Sequence, residues 1–485
     1  MRIDLKRLVG RSALSLALCT TLLSGCVQGP DYVKPAIEVP SAYRFGTEVP
    51  QGDVAGVPAW WSGFGDPEID ALVTEALNNN RDLRIATARI DEFAAILEGT
   101  RSQGLPQVGY GLSGSRSRAS EEKIPSFVDP LSTTFTTLLS ASWELDLWGR
   151  IRRETEAARA NLLATEEARR GVTLTLISSV IIGYVTLLDL DEQLRVAEAT
   201  VAGRQKSVDL FETRLKGRWI SEFEMSQVRA EYDTVASQIP PLRQAIAVQE
   251  HALSVLVGRL PGPIARTRTL ESLHSPTVPA GLPSELLIRR PDILQAEQQL
   301  IASNALIGAA RAHFFPRITL TGLFGFASAS LGHLFSGPAN TWTFTGDVAG
   351  PIYTGGGITA AVDQAEARRE QSLNNYELVI QNAFRDVENS LADLQHSREL
   401  REIAERRVVT LKRGVELANE RYENGYSDYL EVLDTERNLF SAELQLASAS
   451  GDYERALVNL YRALGGDWNA VPPITASQQS SARGQ

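Results

Sequence analysis

The 485-residue chain is 43% hydrophobic, enough to build real cores, and its length alone excludes very little. Its formal net charge of −11 makes nucleic acid an unsuitable partner. After the N-terminal segment no run of about 18 uninterrupted apolar residues occurs, so a membrane role must use strands or a lipid anchor.

In chain order, residues 1–25 read as a targeting segment. Arg2, Lys6, Arg7 and Arg11 precede the stretch SALSLALCTTLLSG, which is too short to cross a bilayer. The segment ends Leu23-Ser24-Gly25-Cys26, which resembles a bacterial lipobox and implies diacylglycerol and an N-acyl chain on Cys26. The alternative is an ordinary signal peptide with a stray cysteine. Cleavage before Cys26 takes four residues from the 48 Lys+Arg and one from the 59 Asp+Glu, leaving 44 against 58 and a net charge of −14. Cys19 leaves with the signal, so an acylated Cys26 leaves no free thiol, as suits an oxidising compartment.

The rest is an internal duplication. RDLRIATARIDEFAAILEGTRSQGLP (81–106) overlies PDILQAEQQLIASNALIGAARAHFFP (291–316), matching Asp82 to Asp292, Arg101 to Arg311 and Pro106 to Pro316. VDLFETRLKGRWISEFEM (208–225) overlies VELANERYENGYSDYLEV (415–432) without a gap. Each copy reads helix, strand, loop, strand, very long helix, tight turn, helix. Ile151–Lys216 keeps helix formers at helical spacing for 66 residues, roughly 100 Å of rod, and Ile358–Tyr422 does so for 65. The returning helices, 221–258 with 291–313 and 428–464 with 81–103, nearly equal them in length, which predicts four columns of one height. Pro240 and Pro241 should kink the first or open a turn.

The segments are therefore 26–67 (anchor and collar), 68–105 (helices of the first repeat), 106–148 (strand hairpin), 149–258 (helical hairpin), 259–285 (collar), 286–315 (helix of the second repeat), 316–353 (strand hairpin), 354–466 (helical hairpin) and 467–485 (collar tail).

The strand candidates are 106–117, 134–148, 316–328 and 341–353. In the third, Ile318, Leu320, Gly322, Phe324 and Phe326 share one face and Thr319 and Thr321 the other; in the fourth, Trp342, Phe344 and Val348 alternate with threonines and Asp347. In the second, Trp143, Leu145 and Leu147 alternate with Glu144 and Asp146. One apolar and one polar face over about ten residues is the pattern of an outer-membrane barrel strand, although a soluble sandwich edge reads alike. Four strands cannot close in lipid without unpaired edges, so the barrel must be shared between chains, three or more to leave a wet lumen. Pro106 and Pro316 mark the switch from helix to strand, where each column enters the membrane.

WWSGFGDPEIDALVTEALNNNRDL (60–83), WELDLWGRIR (143–152), LIRRPDI (287–293), GAARAHFFPRITLTG (308–322) and RYENGYSDYLEVLD (421–434) resemble the outer membrane factors, TolC-like channels, in their lipoprotein branch serving resistance-nodulation-division efflux systems. The resemblance covers nearly all the chain after the signal. It implies an α+β membrane protein: a homotrimer whose twelve-stranded β-barrel is continuous with a helical coiled-coil barrel. It also implies an exit duct for drugs or other small molecules, outer membrane lipid around the barrel, a periplasmic adaptor and an inner-membrane pump as partners. The family's constriction maps to Leu430, Glu431, Asp434 and Arg437, and Val27 after Cys26 fits sorting to the outer membrane. The adaptor-facing tip turns map to Gly217, Arg218 and Ser221 and to Gly425 and Asp428. One departure stands out: the family's first-tip glycine falls at 218, where this chain has Arg218 after Gly217.

Ser221 with Glu224 and Asp428 with Glu431 read as capping boxes in one register. Asp434 is then the better gate carboxylate, with a surface pair to Arg437 as the plain alternative. GYGLSG (109–114) follows a helix and lies in a strand, opposite to a dinucleotide fold, and TGGGI (354–358) lacks the Lys-Ser/Thr of a phosphate loop. The five histidines show no metal-ligand spacing, and no nucleophile, base and oxyanion set stands out; neither an enzyme nor a cofactor beyond the Cys26 lipid is expected. Two other readings stay open: a duct for an ATP-driven protein or peptide exporter, and a lipid-anchored coiled-coil scaffold without a pore.

Overall fold

The computed structural model describes residues 27–45, 59–123, 125–127, 129–276 and 283–466. Cys26, the signal segment and the tail after 466 lie outside the described residues. The elements run α1 (Pro67–Asn79), α2 (Arg81–Ser102), β1 (Gln107–Arg118), β2 (Leu131–Glu144), α3 (Arg150–Lys216), α4 (Glu222–Ala236), α5 (Ile239–Leu256), α6 (Leu286–Arg289), α7 (Pro291–Ala312), β3 (Arg317–Ser328), β4 (Asn340–Ala349), α8 (Gly357–Glu423) and α9 (Tyr429–Ala463). By packing, the chain divides into two units: Met1–Ala36 with Arg89–Glu166 and Gln295–Glu377, and Ile37–Ala88 with Glu167–Leu294 and Leu378–Gln485.

The first unit holds an antiparallel sheet in the order β1-β2-β3-β4. Its second strand runs from 131 to 144, where the sequence pattern suggests 134 to 148. The last ladder bond is Leu145 N–H to Ile318 O at 2.9 Å. Beyond it the Asp146 carboxylate accepts the backbone N–H groups of Ile151 (3.1 Å) and Arg152 (2.9 Å), so the chain is recruited to start α3. Gly149 makes the corner at φ +79°. The fourth strand likewise stops at Ala349, short of 353.

A stretch of residues 27–34 lies along α3 and α7 in this unit. The buried Arg153 donates to Gln28 O (3.0 Å) and the Asp31 carboxylate (2.7 Å), and Asn304 donates to Pro30 O (2.9 Å). Gly308 is required here, because a Cβ would stand 2.3 Å from Gln28 O. At the far end Lys34 and Tyr32 both donate to Glu297, at 2.7 and 3.2 Å. Burial works against the Lys34 charge, but Glu297 outweighs it and the lysine pKa is raised.

The second unit holds the main core. Val180, Ile181, Tyr184, Val185 and Leu187 of α3 are fully buried against Trp60, Phe64, Ile69, Leu72, Leu253 and Leu460. This part of α3 is long and apolar enough to cross a membrane by composition, but its apolar residues are spent on the core instead. Asp66 caps α1 by accepting from Glu68 N–H (2.9 Å) and also accepts from Tyr184 Oη (3.0 Å) and Thr267. Burial and this carboxylate push the Tyr184 pKa up. Asn80 separates α1 from α2: its side chain accepts Leu83 N–H (2.9 Å) and donates to Leu256 O (2.8 Å). Pro240 and Pro241 open a break rather than a bend: α4 ends at Ala236 and α5 restarts at Ile239 with proline in its first turn.

Candidate functional site

The sheet register sorts the side chains into two faces. Val108, Tyr110 and Leu112 of β1 lie opposite Ala141, Leu139 and Thr137 of β2; Ala141 continues the row to Gly322 and Phe344, Leu139 to Phe324 and Trp342, and Thr137 to Phe326. Trp143, Leu320, Ile318 and Val348 fall on the same face by register. Tyr110 (81%), Phe344 (78%) and Val108 (74%) are exposed on it, far more apolar surface than water tolerates in one patch. The other face carries mostly hydroxyl groups, among them Ser113, Thr136, Ser140, Thr319, Thr321, Thr343 and Thr345, with Asp347 and with Leu138 and Leu323 interspersed. An apolar outside and a hydroxyl-lined inside are what a lipid-facing channel wall needs. Among the described residues β1 and β4 each have one partner, so both outer edges are open.

The two helix-to-strand switches share one geometry. Pro106 lies between α2 and β1, after Leu105 N–H bonds to Ser102 O (3.1 Å); Pro316 lies between α7 and β3, after Phe315 N–H bonds to Ala312 O (3.1 Å). Trp148 donates to Pro316 O at 2.7 Å and stacks on Phe315 at 4.7 Å, while Arg150 bridges Glu144 and Glu154, both at 3.0 Å. Thus WELDLWGRIR is the corner that joins strand to long helix.

The two tip turns, in the second unit, also match. In the first, Arg218 N–H bonds to Leu215 O (2.9 Å) and Trp219 N–H to Arg214 O (2.9 Å); in the second, Gly425 N–H bonds to Tyr422 O (3.0 Å) and Tyr426 N–H to Arg421 O (2.8 Å). Both are the left-handed helix stop in which glycine is usual. Gly425 has φ +75°, but in the first tip the left-handed residue is Arg218, at φ +61°, and not Gly217. The departure at 218 therefore changes the side chain and leaves the turn intact. Val208, Phe211, Met225 and Val228 form a small core above the turns, with Tyr422 and Tyr429 packed on it. Arg214 donates to Tyr422 Oη there.

The helix starts differ. Ser221 and Glu224 form the full reciprocal box. Asp428 accepts Glu431 N–H at 3.3 Å, but the Glu431 carboxylate turns away to Arg421 at 3.0 Å, so the second box is only half made. Leu430, Asp434 and Arg437 share one exposed stripe of α9 at i, i+4, i+7 spacing. Asp434 lies 3.8 Å from Arg437 and accepts from Asn438 at 3.3 Å, while the Arg437 guanidinium chiefly engages Glu231 of α4. Beside them the buried Arg204 of α3 pairs with Glu436 of α9. Burial raises the Glu436 pKa and Arg204 opposes it. Sequence reading misses this pair because its members are 232 residues apart.

An apolar and hydroxyl-faced open sheet, together with two 67-residue helices and matched tips, defines the class of outer-membrane channels built by helical and strand hairpins. The chain belongs to the outer membrane efflux protein family, whose model matches residues 72–259 and 282–466, one stretch in each repeat. It is 37% identical over 458 residues to the cation efflux system protein CusC of Escherichia coli O6:H1, covering 93% of this chain and 98% of that protein. The toluene efflux pump outer membrane protein TtgI of Pseudomonas putida is 35% identical over 455 residues, covering 92% and 97%. Among solved structures, the open-state MtrE outer membrane channel of Neisseria gonorrhoeae matches with a TM-score of 0.83 at 31% identity, covering 91% of this chain and 98% of that one. This chain is accordingly an outer-membrane efflux channel, with a large helical part on the periplasmic side.

Proposed function

We propose that three copies of this chain form the exit duct of a tripartite pump, in which a periplasmic adaptor and an inner-membrane transporter of the resistance-nodulation-division type deliver small molecules for passive release. The observation that carries the reading is the four-stranded sheet, apolar on one face and hydroxyl-lined on the other, with both edges open. Three sheets give twelve strands and a water-filled lumen, whereas two would give a barrel filled by its own side chains. The names of the two relatives speak of cations and of toluene, which favours small solutes over protein cargo. Diacylglycerol and N-acyl chains on Cys26 would hold the N-terminus at the outer membrane. The adaptor would meet the tips at Gly217, Arg218, Ser221, Gly425 and Asp428.

The gate in this reading is the stripe Leu430, Asp434 and Arg437, with Glu431 held aside by Arg421. Threefold symmetry would gather three Asp434 carboxylates at a narrow axis. Carboxylates about 6 Å apart repel by roughly 3 kcal/mol per pair at an effective dielectric of about 20, so a bound cation or outward movement is favoured. Asp434→Ala should raise single-channel conductance in planar bilayers and weaken block by a divalent cation. Wild-type values for both would remove Asp434 from the gate, and absence of any channel would remove the duct.

A further inference from the structure

We propose that the groove between α3, α7 and α8 in the first unit is a solute-binding site on the inner wall of the duct, taking small organic anions that also carry hydrogen-bonding groups. This rests on the duct reading above. The groove has a volume of about 460 Å³, the size of a drug-like molecule. Four side-chain amides line it, from Asn161, Gln299, Gln371 and Asn375, together with the apolar Leu306. Arg368 is the one charged side chain in the lining.

The lining holds no carboxylate. Nearby acidic groups have partners of their own: Glu366 pairs with Arg311 at 2.7 Å, and Glu370 accepts from Asn374 at 3.2 Å. Arg368 joins no ion pair among the described residues. Amides donate and accept without preferring either charge, so the single guanidinium decides the sign of the ligand. Its planar fork of N–H groups suits a carboxylate or sulfonate. Leu306 gives an apolar part of the same molecule somewhere to rest.

The stretch 27–34 shows which way the groove faces. It touches α7 at Glu297, Asn304 and Gly308, which lie within about 40° of one another at 100° per residue. Gln299, Ser303 and Leu306 of the groove centre roughly 150° away on the same helix. The stretch leads back to Cys26, whose acyl chains must enter the bilayer outside the barrel. Its side of α7 is then the outer side, and the groove looks inward, once per chain and three times around the duct.

The probes are 4-nitrophenyl glucuronide and 4-nitrophenyl glucoside, matched molecules that differ in a carboxylate. Full-length wild type, Arg368→Gln and Arg368→Lys are compared in planar bilayers, and the detergent-extracted proteins are titrated by calorimetry. We expect the glucuronide to reduce open-channel current and to bind saturably, Arg368→Gln to weaken both by about fivefold or more, and Arg368→Lys to retain part of the effect. The glucoside should act weakly and equally on all three. Channels of normal conductance with no saturable glucuronide binding, or with equal block in wild type and Arg368→Gln, would overturn the site and spare the duct. A wild type that forms no channel would overturn both.

Discussion

Glu454 of α9 is 4% exposed, and only one of its oxygens is well served: Ser275 donates to Oε1 at 2.6 Å, Arg401 stands 3.9 Å away, and Oε2 is buried with no hydrogen-bond partner among the described residues. Burial therefore raises its pKa, with Ser275 and Arg401 opposing. A carboxyl whose folded pKa is raised binds its proton more tightly when folded. Its cost to stability is absent below the unfolded value, near 4.5, and grows as pH rises through the folded one. Glu454→Gln should then stabilise the protein by about 1 kcal/mol at pH 7 to 8, the variant and wild type converging in acid. Melting curves across pH check this, and a variant less stable at neutral pH would mean that Arg401 compensates the charge fully. At this scale the sequence is legible only where partners are close in the chain. Arg290 of RRPDI is an example: it pairs with Asp292, close in the chain, at 2.7 Å, but it also donates to Ala463 O at 2.9 Å, which no local pattern announces.

The elements were the most readable level, because a 3.6-residue period over 67 residues and a two-residue period over ten or more leave little ambiguity. Their ends were less so. Asp146 looks like the polar face of a strand, yet it caps α3, since a carboxylate just ahead of a helix competes for the helix's free N–H groups. At the first tip the family resemblance puts the glycine position at 218, and Arg218, not its neighbour Gly217, holds the left-handed conformation. A side chain in that conformation costs about 1 kcal/mol, and glycine gives back part of the gain through the freer unfolded chain. Arg218→Gly is expected to slow amide exchange at 214–222 by a few fold while leaving the fold and the channel as they are. Faster exchange would show that the Arg218 side chain contributes more than its backbone strain costs.

For the whole molecule the open edges decide the outcome. β1 and β4 each offer a row of unpaired backbone groups, and lipid has no water to satisfy them. The strands alternate in direction, so β4 of one copy can meet β1 of the next antiparallel, continuing the ladder found inside the chain. Neighbouring residues on a strand aim their N–H groups to opposite sides. Of Thr343→Pro and Phe344→Pro, one therefore removes a bond to β3 and the other a bond across the free edge. Both should abolish the heat-modifiable trimer on gels and the conductance in bilayers, while Phe344→Ala, which keeps its N–H, should preserve the trimer. The edge-directed proline is the informative one, because it leaves every bond within the chain in place. If both proline variants still ran as trimers with wild-type conductance, β4 would not be a seam between copies, and the sheet would need some other way to satisfy its edges in lipid.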